Sequence, residues 1–476
     1  KNRNKYYEDF GYRDEFVVRD YINNEDKIIS NNKSNVQKFS GYSQLDFINK
    51  VNVKLSNNTN LIHGIYLSKS SNIPRYDRLI LYEDIFTPKY GEWYYGPNYF
   101  LMNKIELNNF RKTNYYDAFK LNISNQIVKE SRHSRLFNNN FLKNRNEKVD
   151  IISLNLDFDK KFKNDEIFYG YEFIFNNVNS EANSLNINSN ETSIISSRYP
   201  DNGTQYFSNS LYISYKKNIG KIFSNVGLRG NMSRLESKLS NQILEFPFSE
   251  INLNTSSISG NIGFRYNYKN SSFKIQYSNG FRNPNLDDLG KVFDSEPGNI
   301  IIPNTDLEPE YVNNYELNYE FKSDKIILKN TFFYIKLNNA IIRTDSKFNG
   351  KDSIIYDGVL SKVQQLNNGS KAYIYGFSNL LNLKLNESID LEHTISFNNS
   401  KDKINNRPLR HSSPLFGRLS LNYSKRKIKL GYNINYNGKK KLEDFSPSEL
   451  NKLYLYTQYG SPVWVTHNLF FKFNYN

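Results

Sequence analysis

The chain contains no cysteine, so disulfides, thiolate nucleophiles and cysteine-ligated zinc are excluded. Histidine is also scarce. The five present are His63, His133, His393, His411 and His467, and none stands at an HxxH or HExxH spacing that would make a metal site. No apolar run approaches the roughly 20 residues of a membrane-spanning helix. There is no GxSxG elbow, no GxxxxGK[ST] cradle and no GxGxxG turn, which argues against a serine hydrolase and against a nucleotide site. The chain opens at Lys1 without a signal peptide, as expected of a mature or trimmed sequence. These gaps favour a protein that is not an enzyme and carries no cofactor.

The composition is unusual for a water-soluble core. Hydrophobic residues make up only 38%, yet aromatic residues reach 15%, with 37 Tyr and 34 Phe. Disordered chains are poor in aromatic residues, so disorder does not explain the low hydropathy. A β-barrel with a wet lumen does, because only one face of each strand must be apolar and aromatic rings gather at the lipid headgroups. The net charge of +15 invites a nucleic-acid reading, but Lys and Arg are scattered rather than clustered. Such a surface suits outer-membrane lipid and lipopolysaccharide as neighbours, with no nucleic-acid partner.

Period-two alternation is the dominant pattern. Ile152, Leu154, Leu156 and Phe158 alternate with Ser153, Asn155, Asp157 and Asp159. Phe207, Leu211, Ile213 and Tyr215 alternate with Ser208, Ser210 and Ser214. Ile428, Leu430, Tyr432, Ile434 and Tyr436 do the same near the end of the chain, as do Leu469, Phe471, Phe473 and Tyr475. The apolar set is expected to face lipid and the polar set the lumen. Tight polar turns are expected at Asn57–Asn60, Asn218–Gly220, Asn270–Ser272, Lys322–Lys325, Asn386–Ser388 and Ser424–Lys427. Longer loops fall between them, at about Ser71–Pro97, Arg132–Asn146, Ala182–Thr204 and Lys238–Asn254. They continue at Asn283–Leu307, Asp345–Ser370, Asn399–Ser412 and Gly438–Ser461. Short turns alternating with long loops is the asymmetry of an outer-membrane barrel. The segments amount to about 17 strands from Gly41 to Asn476, and about 18 if Asp14–Asn23 is included. The fold class is therefore all-β, a transmembrane antiparallel β-barrel.

One stretch stands apart: "GFRNPNLDDLGKVFDSEPGNIIIPNTDLEPE", Gly280–Glu310. Its acidic residues, Asp287, Asp288, Asp294, Glu296, Asp306, Glu308 and Glu310, lack the periodicity of a calcium loop and read as a solvated acidic loop. Pro284, Pro303 and Pro309 suit places where ladder pairing stops. The stretch joins an ascending strand to a descending one, at the barrel rim. Of the histidines, His63 shares a face with Leu61, Ile65 and Leu67, while His133 and His411 fall at long-loop ends.

The same stretch closely resembles the FRAP…NPNL region of TonB-dependent outer-membrane receptors, notably those of Bacteroidetes. Other segments agree in order: "SSNIPRYDRL" (Ser70–Leu79), "EWYYGPNYF" (Glu92–Phe100), "QIVKESRHSR" (Gln126–Arg135) and "IYDGVLSKVQQLNNGSKAYIYGF" (Ile355–Phe377). "RPLRHSSPLFGRLSLNY" (Arg407–Tyr423), "YNGKK" (Tyr436–Lys440) and "GSPVWVTHNL" (Gly460–Leu469) continue the likeness. The resemblance implies a barrel of about 22 strands with a plugged lumen, of which residues 1–476 hold about 18 as one partial barrel domain. It implies uptake of a scarce ligand at the surface of a Gram-negative outer membrane, energised by the TonB complex. Plug, TonB box and final hairpin are not recognisable in this sequence. The family motif places Phe281, Arg282, Pro284, Asn285, Leu286, Asn304, Leu307, Pro309 and Glu310 at the extracellular rim, as candidate ligand contacts. Haem-importing members carry a histidine between the two boxes. Here none lies between Pro284 and Asn304, and Asn283 replaces the family's alanine, which lowers haem and leaves His133 and His411 as other candidates. Loops of this length lean towards an iron-siderophore, haem or cobalamin type of ligand rather than a glycan. The competing readings are a passive diffusion channel and a non-transport surface barrel.

Overall fold

The computed structural model describes residues 13–475 apart from 241–242, 244–245, 247, 290–297, 357–358, 404–405, 411, 451–452 and 454–455. A small hairpin comes first, β1 (Glu15–Asp20) with β2 (Glu25–Ser30), paired only with each other. The wall begins with β3 (Gln44–Ser56) and β4 (Thr59–Ser70). Short β5 (Ile73–Pro74), a helical turn α1 (Tyr76–Leu79) and β6 (Tyr90–Tyr95) intervene before β7 (Tyr99–Asn109), β8 (Ala118–Leu136) and β9 (Phe141–Lys161). The wall continues through β10 (Asp165–Asn186), a side strand β11 (Thr192–Ile194), β12 (Thr204–Ile219), β13 (Ile222–Lys238), β14 (Glu250–Tyr268) and β15 (Ser271–Arg282). Next come α2 (Leu286–Leu289), β16 (Asn299–Ile302), β17 (Glu310–Lys322), β18 (Ile326–Asp345), β19 (Ser353–Tyr356) and β20 (Val359–Lys384). The last wall strands are β21 (Ile389–Asp402), β22 (Phe416–Lys425), β23 (Ile428–Asn437) and β24 (Trp464–Phe473).

Among the described residues, seventeen long strands form the wall: β3, β4, β7–β10, β12–β15, β17, β18 and β20–β24. Consecutive wall strands pair antiparallel, and their order is that of a barrel with its seam between β24 and β3. An odd number leaves both seam strands running from the long-loop end to the short-turn end, so an antiparallel ladder does not join them. Both are exposed along their whole length. The segment expected as an eighteenth wall strand is instead β1 of the separate hairpin. Its neighbour Asp26 is fixed by Arg135 through two bonds of 2.7 and 2.9 Å. Buried charge paired in this way holds the hairpin against the long-loop end of β8.

The expected alternation is present in the wall. Ser153 faces Ser124 across a 2.7 Å hydroxyl bond, Asn155 donates to Glu172, and Tyr212 donates to Asp157, all on the inner face. Tyr212 reaches Asp157 by crossing Gly170, where a Cβ would stand 2.3 Å from the phenol oxygen. Leu211 and Ile213 project from the outer face and are 67% and 52% exposed, whereas Ser208 and Ser210 are buried. The short turns lie within two residues of their expected places. Several expected loops, by contrast, are strand. β8 and β9 run on to a four-residue connection at 137–140, and β20 starts at Val359, so the Arg132–Asn146 and Asp345–Ser370 loops are largely ladder. These extensions stand beyond the roughly 10 residues that a tilted strand needs to cross a bilayer.

Candidate functional site at the long-loop end

At the end of β15 the chain turns into the lumen instead of over the rim. Asn283 makes the turn specific: its amide donates to Asn231 Oδ1 and Ser233 Oγ, each at 2.9 Å, and accepts from Ser257 Oγ at 3.0 Å. All three partners lie on the inner face of β13 and β14. Pro284 behind it is fully buried. Asn285 then caps α2, accepting the Asp287 and Asp288 N–H groups at 2.8 and 3.2 Å while its own N–H donates to Asp288 Oδ2 at 3.0 Å. This is a reciprocal capping box built from Asn and Asp.

The inward turn carries apolar side chains with it. Leu289 and Leu307 are 0% and 1% exposed, packed with Leu235, Leu239 and Ile251 of the β13–β14 hairpin. Leu286 lies against the same cluster. β16 pairs in parallel with β20, and Ile300, Ile302, Tyr356 and Val363 form a second core. Asn304 ties the return path down, donating to Leu366 O at 2.7 Å and Asn367 Oδ1 at 2.9 Å. Asn368 brackets Glu308 by accepting its N–H at 2.7 Å and donating to its carbonyl at 2.9 Å. Pro309 precedes Glu310, the first residue of β17.

Asp287, Asp288 and Glu310 are committed to protein partners, which corrects the reading of a solvated acidic loop for these three, while Asp306 and Glu308 are exposed as expected. Arg282 donates to Glu310 and, at 2.6 Å, to Asp288. Glu310 also accepts the Ile341 N–H at 2.5 Å. Asp287 accepts Tyr199 Oη at 2.7 Å and pairs with Arg198 at 3.3 Å, joining this segment to the β10–β12 loop. Burial, reinforced by the bond to Asp287, pushes the Tyr199 phenol well above its usual range. Asp294 and Glu296 lie outside the described residues. The family-motif residues are thus brought together as a clasp between loops: Phe281 and Arg282 end one strand, Glu310 starts the next, and the leucines and asparagines between them are turned into the protein.

A cavity of about 550 Å³ opens beside this clasp. Among the described residues its wall includes Arg75, Arg78, Lys89, Arg132, Lys143 and Arg145, with the carboxylate of Glu83. Trp93, Tyr95 and Tyr356 supply aromatic surface. Arg75 is gripped by Asp77 through two bonds of 2.7 Å, donates to the Tyr95 hydroxyl, and stacks 5.1 Å from Trp93 and 4.8 Å from Tyr95. Arg132 stands over the same Tyr95 ring at 5.5 Å. One step further along the inner face of β9 from Arg145, Glu147 is 6% exposed, and both its carboxylate oxygens are buried without a hydrogen-bond partner. Burial raises its pKa in spite of Arg132, Arg198 and Arg145 nearby. Sequence reasoning misses these cavity residues as site candidates. Their signal is the arginine and aromatic interleaving in "SSNIPRYDRL" and "EWYYGPNYF", which reads there only as family likeness.

His133 is adjacent to Arg132 but points to the opposite face of the strand. Its ring stacks on Tyr94 at 4.5 Å and Nδ1 bonds Asn144 Oδ1 at 2.6 Å, away from the cavity. His411 lies outside the described residues. His393 and His467 bond the hydroxyls of Tyr436 and Tyr432 at 2.8 and 2.7 Å.

Comparison with solved structures shows the same architecture at low identity. The copper transporter OprC matches with a TM-score of 0.72 at 10% identity, over 91% of this chain and 64% of that one. The siderophore receptor PiuA from Acinetobacter baumannii matches at 0.62 and 12% identity, over 93% and 70%. The ferric citrate transporter FecA in its unliganded form matches at 0.59 and 13% identity, over 92% and 64%. The chain thus spans under two thirds of the length of OprC and of FecA. A comparison with curated proteins returns no match. The model of the family described as TonB dependent receptor-like, β-barrel, matches residues 7–476. With that match across the wall, the rim clasp and the loops, the chain belongs to the TonB-dependent receptor β-barrel family.

Proposed function

We propose that this barrel is the wall and extracellular crown of an outer-membrane receptor for TonB-dependent active uptake of a scarce ligand, in a Gram-negative bacterium. The observation that carries this reading is the inward-folded Asn283–Pro309 segment beside a basic, aromatic cavity. A diffusion pore is served by an open mouth, whereas a receptor needs a built surface that holds its ligand before passage. The relatives' names point the same way: copper, a siderophore and ferric citrate are what those proteins carry or receive. Energy would come from the TonB complex acting through a plug region, with lipid and lipopolysaccharide around the wall.

Among an iron-siderophore, haem and cobalamin, an oxygen-donor iron chelate fits the cavity best. His133 faces away from it, and no histidine lies between Pro284 and Asn304 to serve as an axial haem ligand. The test is uptake of ⁵⁵Fe-labelled chelates by whole cells with and without the gene, with and without a protonophore, backed by growth on single iron or cobalamin sources. Gene-dependent accumulation that collapses with the protonophore is expected. Protonophore-insensitive entry of many unrelated small solutes would make the barrel a passive channel.

A further inference from the structure

The outer face of the first wall strands carries polar side chains at a depth where lipid offers them no partner. Residues directly opposite each other on paired strands share a face. Ser124 bonds Ser153 on the inner face, so its neighbour Asn125 lies on the outer one. Asn125 stands opposite Asn103 of β7, Asn103 opposite Ile65 of β4, and Ile65 opposite Asn49 of β3. Three asparagines thus form a row at one height across four strands. His63 lies one step closer to the short-turn end, between Val51 and Ile105. The row sits inside the apolar band, with Leu67, Leu101 and Ile127 on its long-loop side and Val51, Ile105 and Ile123 on the other.

Polar groups elsewhere on the outer wall are bonded within the chain. Asn209 accepts from Tyr171 Oη at 2.6 Å, Asn313 accepts from Tyr277 Oη at 2.7 Å, and Asn379 Nδ2 donates to Asn330 Oδ1 at 2.8 Å. His393 and His467 are bonded to tyrosine hydroxyls. Among the described residues, the side chains of Asn49, His63, Asn103 and Asn125 make no hydrogen bond. Asn49, His63 and Asn125 are exposed. An amide or imidazole without a partner in hydrocarbon is costly, and an acyl chain cannot supply one.

We propose that the outer face of β3, β4, β7 and β8 docks a second copy of this chain, the two barrels lying side by side about a two-fold axis along the membrane normal. Two observations select that occupant. Copies inserted the same way keep each residue at its own depth, so a row at a single height meets its own image. Asparagine amides carry both donors and acceptors, and no Lys, Arg, Asp or Glu adjoins the row on this face, so the patch is complementary to itself as an isologous interface requires. The inference needs only a lipid-facing wall, so its failure would leave the uptake reading untouched.

The test uses the full-length receptor in its outer membrane, with a benzophenone probe on one introduced cysteine. Ile105→Cys, between His63 and Asn103 in this patch, should on irradiation give an adduct of twice the chain mass. Ile262→Cys, exposed on the outer face of β14, should give none. Separately, copies carrying donor or acceptor dyes are placed in phospholipid bilayers and diluted with lipid. Energy transfer should report association, and the triple variant Asn49→Leu, Asn103→Leu, Asn125→Leu should weaken it about tenfold or more. Leucine suits a lipid-facing position, and unchanged heat-modifiable migration on gels would show that the variant keeps its barrel. Equal adducts from both cysteines, or energy transfer unaltered in the triple variant, overturns the proposal. Adducts from Ile105→Cys with lipid alone, or only with a different protein, overturn the assignment to a second copy.

Discussion

The lower and upper halves of β13 and β14 share one continuous ladder and opposite polarity. Below, Val226, Leu228, Ile258 and Ile262 point outward and are exposed, while Asn231, Ser233, Thr255 and Ser257 are buried on the inner face. Above, Arg234 and Glu236 form an ion pair on the outer face, while Leu235 and Ile251 are buried inside. The switch occurs at one level on both strands, since Arg234 pairs with Asn254 and Leu235 with Leu253. The solvent explains it. Lipid surrounds the lower wall and water fills its lumen, whereas the upper wall has water outside and the loop leucines inside. Polarity along a strand therefore marks where the membrane ends and where the crown becomes a small water-soluble core.

The largest effect should come from the upper half. Leu289→Ala or Leu307→Ala removes a side chain with no more than 1% exposure and should cost about 2–5 kcal/mol of crown stability. Hydrogen exchange and proteolysis of the 283–309 segment would read it, and unchanged protection would break the picture of a crown core. Leu211→Ala, on the exposed outer wall, should leave that segment untouched. Next, Leu228→Arg should cost about 2–4 kcal/mol of barrel stability in bilayers, and Arg234→Leu less than about 1 kcal/mol. Equal costs in refolding titrations would mean that the switch does not mark the membrane boundary.

Asn283→Ala leaves three inner-face partners short of a bond and should loosen the inward turn by about 1–3 kcal/mol, seen as faster exchange at residues 284–289. The smallest and most diagnostic effect is pH-dependent. Burial raises the Glu147 pKa, so the native state holds this proton more tightly than the unfolded chain. The resulting stability is present in full below the unfolded pKa and is lost as pH rises through the native value. Crown melting should therefore fall from acid to neutral pH in the parent and fall less in Glu147→Gln. A parallel fall in both proteins would show that Glu147 does not titrate in this window.

The wall was legible because lipid imposes period two without exception: the Ile152–Phe158 alternation and the short turns sit where the residues indicated. The crown was less so for the same reason. Lys238–Asn254 and Arg132–Asn146 read as loops because their alternation is inverted or mostly polar, although backbone pairing takes in Lys238 and Glu250–Asn254 of the first and much of the second. Asp14–Asn23 has strand-like residues, yet whether it joins the wall depended on Asp26 finding Arg135, which lies 109 positions away. His133 read as a candidate contact and its neighbour Arg132 did not, yet one residue of strand register sends them to opposite faces and puts Arg132 on the cavity.

Local chemistry thus determined the class of protein, the alternating wall and the Asn285-capped turn, because each depends on neighbours within a few positions. The resemblance to the family marked Asn283 as a departure from its motif. Tertiary structure alone decided that the marked loop folds inward, that its acidic residues serve as a clasp, and that cations from Arg75 to Arg145 share one cavity. Those outcomes depend on which loops meet across the lumen. That is a matter of barrel closure and strand height, which no short window of sequence contains.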